Sequence, residues 1–284
     1  MKPQPNSLQE FGSTALVWGT AGLVTLTFLW LLGDILAHGL PQLSWTFVFA
    51  SPENAGREGG IGSILVSTGL IIGVCMAVAL PIALGTAIFL AEYFRYDWVL
   101  GRVLRGSLDV LAGVPSIVFG LFGNAVFCYA LGLGFSILSG GLTLACMVLP
   151  LLIRTTEESF RMIPVEHRLS AAALGLSKPT TILSVLLPSA IPGLLVGFIL
   201  SLGRALAETA ALIFTSGYVD RMPDSFLDSG RALSVHIYDL AMNVAGGNPN
   251  AYATAVILVS LLLLANLFSL WIAERWATPN RLPA

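Results

Sequence analysis

PTTILSVLLPSAIPGLLVGFILSLGRALAETAALIFTSG, residues 179–217, decides the fold. From 179 to 203 it carries no charge, and about 20 apolar residues are enough to cross a bilayer core. Two charges follow, Arg204 and Glu208, before the next oily run. A charge at the bilayer centre costs at least about 2.5–3.5 kcal/mol, so their presence asks for a reason. Two registers fit the stretch. A span over 179–203 leaves Arg204 at its edge and puts Pro188 and Pro192 in mid-helix, where each removes a backbone hydrogen bond. A helix starting near 189–192 has its prolines in the first turn, where they are tolerated. The proline argument favours the second register, a helix over roughly 190–216 that carries Arg204 close to mid-membrane.

The rest of the chain has the same character. Of 284 residues 56% are hydrophobic and 11% charged, against about 25% charged in soluble domains, and the mean hydropathy is +0.84. Further uncharged runs cover 11–33, 59–91, 110–153 and 240–273. The run 110–153 suits two helices divided by the glycine-rich LGLGFSILSGG at 131–141, and AGGNPN at 245–250 marks a turn before the last one. Six helices result, roughly 13–35, 63–90, 111–131, 137–154, 190–216 and 251–273: an all-α polytopic membrane protein. The first run is too long for a signal-peptide core and is followed by more spans, so it reads as a retained helix.

Lysine and arginine set the orientation. With the N-terminus inside, the inner segments carry Lys2, Arg95, Arg102, Arg105, Arg154, Arg161, Arg168, Lys178, Arg275 and Arg281, and the outer ones only Arg57, Arg221 and Arg231. That bias places both termini in the cytoplasm of a cell whose inner (plasma) membrane holds the chain. Cys75, Cys128 and Cys146 lie in apolar runs with no CxxC pair, and His38, His167 and His236 show no ligand spacing, so no metal site is expected. A lipid bilayer is the expected surround, and no nucleic-acid partner is expected. In the outer loop 217–250, Leu233, Ile237 and Leu240 share one face of a short interfacial helix.

The inner loop 155–189 contains EHRLSAAALGLSKPTTILSVLLP, residues 166–188. Its small run Ser170-Ala171-Ala172-Ala173 permits close approach of another surface, Gly175 breaks the helix, and a second short helix leads to Leu187-Pro188. The pattern resembles the coupling motif of ABC importer permeases: Glu-Ala-Ala, three residues, Gly, nine residues and a hydrophobic-x-Leu-Pro ending. The back half fits. In the front half the motif's Glu aligns with Leu169 and its alanines with Ser170 and Ala171. LAGVPSIVFGLFG at 111–123, GRALAETAALIFTSG at 203–217 and LSVHIYDLA at 233–241 resemble, in order, the third helix, fifth helix and last outer loop of phosphate-import permeases. Among these the chain is most similar to the A-type subunit of the phosphate-specific transport system.

The resemblance implies a type I importer permease fold like that of the methionine importer's permease. It covers residues 61–273, after an added tail, helix and loop at 1–60 and before a tail at 274–284. It implies a transport subunit rather than an enzyme. Its partners would be a homologous second permease forming a heterodimer, two copies of a cytoplasmic ATP-binding subunit and an extracytoplasmic phosphate-binding protein. With no GxxxxGK[ST] in the chain, ATP and magnesium fall to the partner ATPase and no cofactor to this chain. Leu169, Ser170, Ala171, Ala172, Gly175, Leu187 and Pro188 are the implied ATPase-coupling residues.

Arg204, Glu208, Pro115 and Ser116 are the candidate substrate pathway. On one helix face, residues four apart meet, so Arg204 and Glu208 would form either a structural ion pair or an anion path in which Glu208 holds Arg204 at rest. Arginine's planar fork suits phosphate oxygens. Pro115 and Ser116 read equally as helix packing. Other oxyanions (phosphonate, sulfate, molybdate) are alternative cargo. A membrane-embedded enzyme would need an intramembrane nucleophile–base pair, a metal cluster or paired acids, and a secondary transporter is expected to show an internal repeat; the sequence shows neither pattern.

Overall fold

The computed structural model describes residues 7–94 and 99–277; Lys2, Arg95, Arg281 and most of the C-terminal tail lie outside the described residues. Helix α1, Ser7–Gly39, is an apolar rod whose side chains are exposed from 13 to 31. It joins the body near Gly39, which lies against Tyr252 and Val256, and through Asp34, which accepts from the Tyr252 hydroxyl at 3.1 Å. The first outer loop holds α2, Trp45–Phe49, and a hairpin of β1, Pro52–Glu53, antiparallel to β2, Glu58–Gly59.

Helix α3, Gly62–Ile88, ends in a π-helical turn, Phe89–Tyr93. Next come α4, Val99–Ala112, and α5, Ser116–Gly123, the latter extended by a π-helical stretch Asn124–Ala130. Helix α6 covers Ile137–Arg161, α7 Val165–Ala173 and α8 Lys178–Thr181. A π turn, Ile182–Leu186, joins α8 to α9, Leu187–Leu206; then follow α10, Ala210–Ile213, α11, Leu233–Met242, and α12, Asn248–Ala277. Among the described residues five helices are long and apolar enough to cross a membrane, with a sixth if the bent pair α4–α5 is one span.

Two expected helices are corrected. The fifth does not start near 189–192 but at Lys178, and it ends at Leu206 instead of running to 216. Both prolines therefore sit inside it. A π turn, Ile182–Leu186, lies just before Pro188, a local adjustment of the kind that accompanies proline in membrane helices. The third helix does not start at 111. Pro115 disfavours helix at the residue before it, so α4 stops at Ala112 and α5 resumes at Ser116, bent by 97°. Helix α4 also carries Arg102, Arg105 and Asp109, a sequence suited to the membrane surface rather than its centre.

The core is built where small residues let backbones approach. On α3, Ile71, Cys75, Ala79, Ala83 and Ala87 recur every four residues and are fully buried, the first four in one cluster with Leu144, Val148 and Leu152 of α6. Gly141 of α6 lies against Val74 and the Ile71 carbonyl; Gly123 of α5 lies against Thr143 of α6. On the other side of α6, Gly193 and Gly197 of α9 face Ser159 and Thr155. Outside, Leu233 and Leu240 of α11 are buried and Ile237 half-buried. His236 is enclosed there, and burial first, then Arg231, holds its imidazole down to about 4, so it packs as a neutral group.

A side chain at Gly123 has no room, whereas Gly69 has nothing within 4 Å of its would-be Cβ. Gly123→Val is expected to destabilise the detergent-solubilised chain by about 1–3 kcal/mol, read as a lowered unfolding midpoint, and Gly69→Ala to leave it unchanged. Equal midpoints for the two variants would contradict the packing described.

Candidate functional site

Helix α9 stops inside the bundle. Gly197 is level with Thr155 of α6, and Gly203 approaches Leu262, midway along α12. Arg204 lies seven residues beyond Gly197, about 10 Å at 1.5 Å per residue, and so is level with the middle of both α6 and α12. The chain then leaves helical geometry at 207–209 and resumes as α10.

A helix end in hydrocarbon exposes backbone groups that must find partners. Here they do. Glu208 Oε1 accepts from the Ala211 amide at 3.1 Å, and the Glu208 carbonyl accepts from the Ser234 hydroxyl of α11. Asn124 of α5 donates to the Phe214 carbonyl at 2.6 Å, and the Ser136 amide to the Thr215 carbonyl at 3.0 Å. The Ser229 hydroxyl and Gly230 amide both donate to the Ser216 carbonyl, at 2.9 and 3.0 Å.

The expected pairing of Arg204 with Glu208 is therefore absent. The helix ends between them, and Glu208 spends its carboxylate capping α10. Arg204 is exposed, and no ion pair or hydrogen bond of its side chain is present among the described residues. Pro115 and Ser116 open α5, exposed and half-buried respectively. One turn further on, Gly120 abuts Ala211 and Phe214, so the start of α5 lies about 6 Å from the α10 contact. The structure thus brings Ser116 near the break but does not join it to Arg204.

The inner-face residues fall together as a loop. Helix α7 closes with Gly175 at φ +71°, its amide bonding the Ala172 carbonyl and the Leu176 amide the Ala171 carbonyl, both at 3.0 Å. Only a residue at ease with positive φ closes a helix this way. Leu169, Ser170, Ala172 and Gly175 are exposed, Ala171 is buried, Leu187 half-buried and Pro188 exposed. Ser177 caps α8 through the Thr180 amide at 3.4 Å.

A charged network that the sequence reading missed lies beside this loop. Glu157 of α6 is 2% exposed; its Oε1 accepts from Arg105 Nε at 2.7 Å and Arg161 Nε at 2.9 Å. Arg154 lies 3.7 Å from Oε2 and pairs with Asp109 of α4 at 3.0 Å. A cavity of about 220 Å³ opens among Arg105, Arg154, Glu157, Glu158 and Arg161. The available signal was the spacing in RTTEESFR, 154–161, where Glu157 stands three residues from one arginine and four from the other. Reading a loop from 155 hid it, because α6 continues to Arg161.

Against this geometry, residues 79–278 match the model of the family described as binding-protein-dependent transport system inner membrane component. The chain is similar to a probable ABC transporter permease protein, YqgI, of Bacillus subtilis, at 32% identity over 89% of this chain and 90% of that one. It is also similar to the phosphate transport system permease protein PstA of Pasteurella multocida, at 31% identity over 87% and 91%. A solved bacterial ABC transporter involved in import of the acidic polysaccharide alginate shares the fold, with a TM-score of 0.62 at 12% identity, over 94% of this chain and 99% of that one.

Removing Glu157 leaves Arg105, itself only 7% exposed, without its carboxylate. Glu157→Ala is expected to cost about 3–5 kcal/mol, seen as a lowered unfolding midpoint in detergent, with Glu157→Gln milder because it still accepts hydrogen bonds. An unchanged midpoint for the alanine variant would show that the network stabilises nothing.

Proposed function

This chain belongs to the family of binding-protein-dependent transport system inner membrane components, and we propose that it is the A-type permease subunit of an importer of inorganic phosphate. The observation that carries the reading is Arg204: a mid-bundle guanidinium, exposed at a helix break and without an ion pair or hydrogen bond among the described residues. A structural charge would be paired; one kept open suits a passing anion, and the guanidinium fork matches phosphate oxygens. That a relative sharing most of its length is a phosphate transport permease supports the choice of cargo.

In this reading Arg204 draws phosphate to the middle of the membrane, while Pro115 and Ser116 line the route beside it. Glu208 holds the break in shape through Ala211 and offsets the cation's field, so that the anion is held briefly and released. The chain does no catalysis and binds no cofactor. Two copies of an ATP-binding subunit supply hydrolysis from the inner face, one of them docking on this chain's exposed Leu169, Ser170, Ala172 and Gly175, with Ala171 buried beneath them and Leu187-Pro188 leading force into α9. A homologous second permease completes the path as a heterodimer, and an extracytoplasmic binding protein delivers phosphate. The membrane is the inner (plasma) membrane, with both termini cytoplasmic, as the excess of inner-segment lysine and arginine favours.

The test is uptake in cells retaining the other components. Arg204→Ala is expected to abolish phosphate uptake while the complex still assembles, and Arg204→Lys to retain little, because a point charge replaces the fork. Normal uptake by an assembled Arg204→Ala complex would make Arg204 architecture and sink the pathway.

A further inference from the structure

The inner end of α3 is gripped from four sides at one turn. Its last residues, Phe89–Tyr93, are π-helical, a rare geometry that is frequent at functional sites. Arg105 of α4 and Arg161 of α6 both donate to the Leu90 carbonyl, at 3.3 and 3.0 Å. The ammonium of Lys178, which opens α8, donates to the Glu92 carbonyl at 2.6 Å and lies over the Tyr93 ring at 4.1 Å from its centroid. The Glu92 carboxylate, 9% exposed, takes the guanidinium of Arg168 in α7, with Nη2 at 2.6 Å and Nε at 3.2 Å from Oε1.

Arg168 does more than pair. It also donates to the carbonyls of Phe160 and Ile163, each at 2.9 Å, so its fork is pinned to the end of α6 as it holds α3. Around it, Phe160, Ile163, Ile182, Leu186 and Ala190 form a small core against which Leu84, Ile88 and Ala91 of α3 pack. Apolar packing of this kind allows sliding. A fork held in one orientation on a carboxylate does not.

We propose that Glu92 is a positioning residue for transport: through Arg168 it ties α7 to the π turn of α3, so that displacement of α7 by the ATPase moves α3 instead of slipping past it. The inference rests on the docking role given to α7 under Proposed function. Because α3 packs along α6, which faces α9 at Gly193 and Gly197, movement at Glu92 reaches the elements that hold Arg204. Stability is not what the pair chiefly supplies, since a buried ion pair is often replaceable by apolar residues at little cost. What it supplies is a fixed register between two elements.

The test uses the assembled complex, reconstituted with its binding protein, and reads inorganic phosphate imported per ATP hydrolysed together with the amount of ATPase bound. Glu92→Gln keeps the shape and one acceptor but loses the charge. It is expected to retain its ATPase and to hydrolyse ATP while phosphate imported per ATP falls about tenfold, within the usual range of coupling between sites. Glu92→Asp, which restores the charge, is expected to recover most of that loss. An unchanged ratio in an assembled Glu92→Gln complex overturns the proposal. If Glu92→Gln reduces assembly, the exchanged pair Glu92→Arg with Arg168→Glu decides. Restored assembly with a restored ratio supports the latch; restored assembly with a lowered ratio, or failed assembly, makes the pair merely structural and overturns it. A cysteine at the exposed Ala172 that never cross-links to the ATPase contradicts the docking reading itself, whatever Glu92 does.

Discussion

A backbone amide or carbonyl with no partner in hydrocarbon has no water to turn to, and the arrangement around residues 207–217 follows from that constraint. Breaking α9 at Leu206 and ending α10 at Ile213 leaves the carbonyls of Glu208 and of Phe214 to Ser216 to be satisfied, and their partners come from different parts of the chain. Asn124 comes from α5, Ser136 from the turn before α6, Ser229 and Gly230 from the outer segment, and Ser234 from α11. Helix α5 has to stand close to α10, which is why Gly120 meets Ala211 and no larger residue fits. The outer segment has to fold back into the bundle, which carries α11 down against it. One irregular stretch thus fixes the positions of three elements.

The two faces of the molecule treat charge in opposite ways. Near the Glu92 end of α3 three carboxylates are paired with arginine: Glu157 of α6 binds Arg105 and Arg161, Asp109 of α4 binds Arg154, and Glu92 binds Arg168. Such pairs contribute modestly to stability and strongly to geometry. At the break the Glu208 carboxylate accepts from a backbone amide, and the Arg204 side chain has no ion pair or hydrogen bond among the described residues. An intramembrane cation that makes no direct ion pair among the described residues is expensive, which makes its retention an argument for a visiting anion.

Much of the fold was legible because hydrophobic run length and lysine–arginine bias are direct records of the bilayer. Gly175 was legible for the same kind of reason: a positive-φ closure leaves a glycine in the sequence. What was misread concerns exceptions that a bundle permits and an isolated helix does not. Pro188 and Pro192 point to a helix start, because interior proline is costly in a lone helix; in the bundle a π turn at 182–186 precedes them and the helix runs through both. Arg204 and Glu208 were placed on one face by their spacing, which holds only while the helix continues. The Glu92–Arg168 and Arg105–Glu157 pairs join residues 76 and 52 positions apart, and nothing local in one sequence marks such partners.

Conduction of phosphate through a membrane by this chain is what the fold and the relatives point to. It is tested most directly by uptake of radiolabelled phosphate into proteoliposomes holding the purified complex, with ATP enclosed and binding protein outside, compared with the same preparation lacking this chain. Phosphate accumulation that requires both this chain and ATP, and that unlabelled phosphate suppresses but sulfate does not, is the expected result. Accumulation that is unaffected by omitting the chain, or that sulfate suppresses as well as phosphate does, would contradict the account.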